Sequence, residues 1–205
     1  MRFLKYSALA LCVASLAGIT APRVRADAFN HKTFVTFSGP VEIPGFHGPK
    51  VLPAGTYVFK LLDTQADRNI VQVFNKNENH LYSTIISVPD YRMRPAGKTV
   101  IRFAERVSGS PLALRAWFYP GDKYGQEFVY PRTRAMELAK ANHEPVLSMS
   151  DEEAANMNGQ IKSRTDSSAQ SLEKTNLTAE QPNGQEVQAS SVVQSKPSQN
   201  AQGHS

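Results

Sequence analysis

The stretch Asn69-Ile70-Val71-Gln72-Val73-Phe74, then Asn75-Lys76-Asn77-Glu78-Asn79, then His80-Leu81-Tyr82-Ser83-Thr84-Ile85-Ile86-Ser87-Val88, decides the fold. Two β-rich runs flank a five-residue polar insert. Asparagine tolerates the left-handed backbone that a tight reversal needs, so the pattern predicts a β-hairpin. Residues 55–62 precede it and place Tyr57, Phe59 and Leu61 on one face of a strand. Further upstream, Thr33-Phe34-Val35-Thr36-Phe37 alternates until Ser38-Gly39-Pro40, and Val41-Glu42-Ile43 resumes until Pro44-Gly45. Downstream, residues 99–103 alternate again, and 112–119 and 126–130 flank the turn 120–125. Short strands with turn signals at this spacing predict an all-β fold, an antiparallel β-sandwich or small barrel.

One short C-terminal helix is expected over 132–142. Ala135, Leu138 and Ala139 recur at helical spacing, Glu137 and Lys140 can pair on the outer face, and Pro131 and Asn142 stand where helices begin and end. Leu52-Pro53-Ala54-Gly55-Thr56 is read as a turn feeding a strand, with Pro53 fixing one dihedral and Gly55 supplying the permissive one. It differs from an L-P-x-T-G wall-sorting signal because its last two residues are reversed and no hydrophobic tail follows.

Three domains follow from composition. Residues 1–26 have the order of a secretory signal peptide: the basic leader Met1-Arg2-Phe3-Leu4-Lys5, an apolar run from 6 to 19, then a small-residue exit. Cleavage is expected after Ala26, with Ala28 as the second site. The apolar run is shorter than the roughly 20 residues that span a bilayer, so no transmembrane segment is expected after cleavage. Residues 27–150 form the β-domain. Residues 151–205 hold no Phe, Trp, Tyr or Cys and are rich in Ser, Gln, Asn and Glu. Such a composition predicts a disordered polar tail, with a helix start at Ser150-Asp151-Glu152-Glu153.

Charge and cysteine usage exclude several functions. The chain carries 23 basic and 18 acidic residues. Arg2, Lys5, Arg23 and Arg25 belong to the leader, so the mature chain is nearly neutral. The basic balance is therefore no sign of a nucleic-acid partner. Cys12, the only cysteine, lies in the leader. The mature chain then has no disulfide, no cysteine nucleophile and no thiolate metal site. No nucleophile elbow, metalloprotease helix, P-loop or dinucleotide fingerprint is present. His31, His47, His80 and His143 share no motif with other ligand types, so neither a metal nor a cofactor is expected.

The most specific cluster is Leu114-Arg115-Ala116-Trp117-Phe118-Tyr119. Strict strand alternation places Leu112, Leu114, Ala116 and Phe118 on the core face, and Arg115, Trp117 and Tyr119 on the other. An arginine between large aromatics suits a sugar- or peptide-binding surface, so Arg115, Trp117 and Tyr119 are the candidate ligand contacts. The competing reading covers Trp117 with the 132–142 helix. A basic group, Arg92, Arg94 and Lys98, surrounds the loop after residue 89 and suits anionic envelope polymers or phospholipid head groups.

Residues 35–45, 52–63 and 115–131, the last reading R-A-W-F-Y-P-G-D-K-Y-G-Q-E-F-V-Y-P, resemble a group of uncharacterised secreted β-rich proteins from soil bacteria. The resemblance implies compartment and class, and carries over no catalytic residue. The expected function is a secreted or periplasmic, non-enzymatic binding or envelope-associated domain, its partner an envelope polysaccharide or another envelope protein. Two alternatives stay open. One is an enzyme whose site is assembled from dispersed carboxylates (Asp63, Asp67, Asp90, Glu105, Asp122, Glu127) and histidines. The other is an assembly protein that pairs through an edge strand, with Thr33 to Phe37 as the candidate edge.

Overall fold

The computed structural model describes residues 31–45, 48–63, 68–104, 109–157 and 160–195. The expected leader, with Cys12 and both expected cleavage sites, lies outside the described residues, as do His47, Asp67 and Glu105. In chain order the elements are β1 (His31–Phe37), β2 (Val41–Ile43), β3 (Lys50–Leu52), β4 (Gly55–Leu62), β5 (Asn69–Asn75), β6 (Leu81–Tyr91), β7 (Val100–Ala104), β8 (Leu112–Phe118), β9 (Tyr124–Phe128) and β10 (Tyr130–Pro131). Then follow α1 (Arg132–Asn142), β11 (Val146–Met149), α2 (Asp151–Asn156), α3 (Ser167–Lys174), β12 (Thr178–Glu180), β13 (Glu186–Gln188) and α4 (Ala189–Ser195).

The hairpin that decides the fold is β5–β6. Val71 faces Ile85 and Val73 faces Ser83 across it. The Asn75 side-chain oxygen closes the turn by accepting from the backbone N–H groups of Asn79 and His80, at 3.0 and 3.2 Å. The left-handed residue is Glu78, with φ of 59°, rather than one of the asparagines. Its carboxylate takes ion pairs from Lys32 and Lys60, which tie the turn to β1 and β4.

Nine strands make one sheet. Antiparallel pairing runs β1-β4-β5-β6-β9-β8-β7, and the β2–β3 hairpin joins through a parallel contact of β2 with β8. Ala113 pairs with Ala104 of β7 and Glu42 of β2, while Ala116 pairs with Arg102 of β7 and Glu127 of β9. One edge of β8 therefore carries β7, and the other is shared by β2 and β9. Val35, Phe37, Phe59, Leu61, Val71, Val73, Ile85, Leu114, Trp117 and Phe128 all enter one core. The sheet thus curls around its own interior as a small barrel. Between β1 and β7, which do not pair, the rings of Phe37 and Phe103 approach to 6.1 Å.

Helix α1 has the expected bounds. It packs Ala135, Leu138 and Ala139 on Ala104, Ala113, Tyr130 and Val146. It is not the only helix, and the described part of the expected tail is not disordered. Residues 146–193 fold across the outer face of the barrel, where Leu147, Met149, Ala154, Met157, Ile161, Ala169, Leu172, Leu177, Ala179 and Val192 meet Leu62, Ile70, Ile86, Val88 and Val129. A second, four-stranded sheet, β10-β11-β12-β13, belongs to this cover. Composition misleads here because most of the few apolar residues of 151–193 land on one surface, which the barrel supplies. Helix α2 starts as its sequence suggests: Ser150 Oγ accepts from the Glu153 N–H at 3.1 Å and donates back to the Glu153 carboxylate at 2.9 Å.

Candidate functional site

Strand β8 does not alternate as its sequence suggests. Along β7–β8, Arg102 pairs with Ala116 and the next residue, Phe103, pairs with Leu114. Arg115 is left as the extra residue of a β-bulge, which resets the inside–outside parity of the strand. Leu114 points inward before the bulge, and Trp117 and Tyr119 point inward after it. Trp117 is 0% and Tyr119 2% exposed, so the expected aromatic contact surface is part of the barrel core instead. Arg115 is also buried. Its guanidinium donates to Glu127 at 3.4 Å, to Glu144, and to the Pro145 carbonyl at 3.1 Å. It ties β8 to β9 and to the α1–β11 connection, and is fully occupied by structure.

Trp117 and Tyr119 close one polar end of the core. Tyr119 stacks on His31 at 4.0 Å and lies 5.9 Å from Tyr124, with the Trp117 ring edge-on at 4.8 Å. Behind them Ser87 Oγ donates to Gln126 Oε1 at 2.8 Å, and Asn69 Nδ2 donates to the Tyr124 hydroxyl at 2.9 Å. Burial raises both the Tyr119 and Tyr124 hydroxyls above their ordinary value. These phenols therefore stay neutral at any physiological pH. The Trp117 indole N–H is buried without a hydrogen-bond partner among the described residues. The arrangement orders the barrel end, with the Asp63 and Asp122 carboxylates close enough to act on the Tyr119 hydroxyl.

Of the dispersed carboxylates in the described residues, Asp63 and Asp122 both act on the Tyr119 hydroxyl, and the others are engaged elsewhere. Glu127 faces Arg115, Asp90 lies 3.9 Å from Arg102, and Asp122 accepts from the Tyr124 N–H at 3.1 Å. No group of three or more potential metal ligands occurs among the described residues.

The open feature is the seam between β1 and β7. Among the described residues β1 pairs only with β4, and β7 only with β8. Their other edges face each other over a cavity of about 420 Å³ lined by Val35, Phe37, Val41, Ile101, Phe103 and Leu112, with the turn 38–40 at its rim. On β1 the outward residues Lys32, Phe34 and Thr36 are exposed, Phe34 by 56%. Residues 33–37 thus form an edge strand, as their pattern suggested. What the sequence hides is the facing edge. Periodicity in 99–103 shows a strand but not its place in the sheet. No family model, no curated protein and no solved structure matches the chain.

Proposed function

We propose that this chain is a secreted, non-catalytic binding domain that takes up an extended segment of an envelope protein along its open seam. The observation that carries the reading is the pair of facing edges, β1 and β7, over an apolar cavity. An edge strand presents a row of unpaired N–H and C=O groups. A segment laid between two such edges gains main-chain hydrogen bonds on both sides, while every second side chain fills the cavity. The leader pattern over 1–26 supports export, and a cysteine-free mature chain suits a fold held by its core alone.

The test uses a soluble fluorescent peptide of alternating valine and threonine, flanked by lysines, read by anisotropy. Its control has the same composition with the valines in one block. Binding of the alternating peptide alone, lost in Ile101→Lys, is expected. Equal binding of both peptides, or binding unchanged in Ile101→Lys, would sink the reading.

A further inference from the structure

The basic group Arg92, Arg94 and Lys98 lies away from the seam cavity, none of whose lining residues belongs to it. The loop between β6 and β7 is zipped to the turn between β8 and β9. The Arg92 N–H donates to the Lys123 carbonyl at 2.8 Å, and the Gly121 N–H to the Ala96 carbonyl at 2.6 Å. Ala96 bridges Pro120, and the Arg92 guanidinium sits 5.3 Å from the Phe118 ring centre. Gly121 supplies the left-handed residue of this turn, with φ of 77°. Two loops therefore form one ordered spur.

The spur displays an unusual mixture. Tyr91 is 64% and Met93 52% exposed, although both are large and apolar. Arg94, Lys98 and Lys123 are exposed beside them and make no ion pair among the described residues. The two acids of the spur are engaged: Asp90 lies 3.9 Å from Arg102 and accepts from the Tyr91 N–H, and Asp122 accepts from the Tyr124 N–H.

From this arrangement we infer that the spur docks the protein on an anionic phospholipid surface, with Tyr91 and Met93 entering the interface and Arg94, Lys98 and Lys123 meeting head groups. A tyrosine has an apolar body and a polar tip, which suits the head-group level. Exposed Met93 gains only where an apolar phase is present. An anionic polysaccharide would satisfy the cations equally well and leave Met93 in water, so the apolar pair favours the membrane.

Each cation near an anionic leaflet is worth about fivefold in partitioning. The test is co-sedimentation of the full mature chain with vesicles of phosphatidylcholine alone or with 30 mol% phosphatidylglycerol added. Binding to the anionic vesicles only is expected, weakened roughly 30-fold in the double variant Arg94→Ala/Lys98→Ala and roughly tenfold in Met93→Ser. All three side chains are exposed, so the variants keep the fold. Three results would overturn the inference: no binding to either vesicle, equal binding to both, or wild-type binding by Met93→Ser. The last, with soluble polygalacturonate competing as well as vesicles, would reassign the spur to anionic polymers.

Discussion

The barrel interior and the cover folded over it bury apolar surface in opposite ways. The interior uses large aromatics in mutual contact: Phe59 lies 5.5 Å from Trp117 and 6.5 Å from Phe128, both edge-on. The cover, residues 146–193, has no aromatic residue at all and buries alanines, methionines and single leucines against the barrel. The interior supplies its own partners across the sheet. The cover borrows its partner surface, so its residues are stable only where the barrel stands. The difference teaches that hydrophobic content sets whether a segment can fold alone, whereas placement sets whether it folds at all.

Trp117→Ala removes the largest fully buried side chain and should cost about 3–5 kcal/mol. Chemical denaturation should show barrel and cover lost together. In the native protein this single tryptophan should emit in the blue and resist iodide. Red-shifted, quenchable emission would contradict the bulge that turns it inward.

A smaller effect is expected from Leu172→Ala in α3, about 2 kcal/mol. Hydrogen exchange should speed up roughly 30-fold in residues 160–193. The β4–β5 amides should keep their protection. Equal acceleration in both regions would show one cooperative unit and erase the distinction.

Glu180 is fully buried in β12, where burial raises its carboxyl above its ordinary value against the pull of Arg132 at 3.2 Å. The folded state therefore binds this proton more tightly than the unfolded chain does. The resulting stabilisation is complete below the ordinary value and is lost as pH rises through the raised one. Glu180→Gln should flatten that slope in thermal melts between mild acid and neutrality. An unchanged slope would place the titration elsewhere.

The smallest effect should come from Glu78, which belongs to the barrel alone. Hydrogen bonds from Lys32 and then Lys60 hold its carboxyl below its ordinary value. Its contribution is present above that ordinary value and lost as pH falls through the lowered one, the opposite sign to Glu180. Glu78→Gln should cost under about 1 kcal/mol at neutral pH. A larger loss would mean that the left-handed turn, rather than the ion pairs, depends on the residue.

Much of the fold was legible in local patterns. The β5–β6 hairpin, the strand at 33–37 and the bounds of α1 follow from alternation, turn residues and helical spacing, all of which act within a few residues. The site was less legible. Alternation in 112–119 placed Arg115, Trp117 and Tyr119 together on an accessible face, and one inserted residue at Arg115 undid it. A bulge leaves no mark in composition, because it depends on the pairing of β7 with β8. The cover was misread for a related reason: its apolar residues are too sparse to signal a fold of their own.

By itself, then, the sequence determined the strand-rich class, the reversals, the helix α1 and the placing of the single cysteine at position 12, since each depends on residue type and near neighbours. Tertiary structure alone decided that the sheet curls around one core and leaves the outer edges of β1 and β7 unpaired among the described residues, that Trp117 and Tyr119 turn inward, and that residues 146–193 form a cover. Those outcomes depend on which strands meet and on what surface lies opposite a given side chain. Long-range pairing selects among them after local preferences have been met.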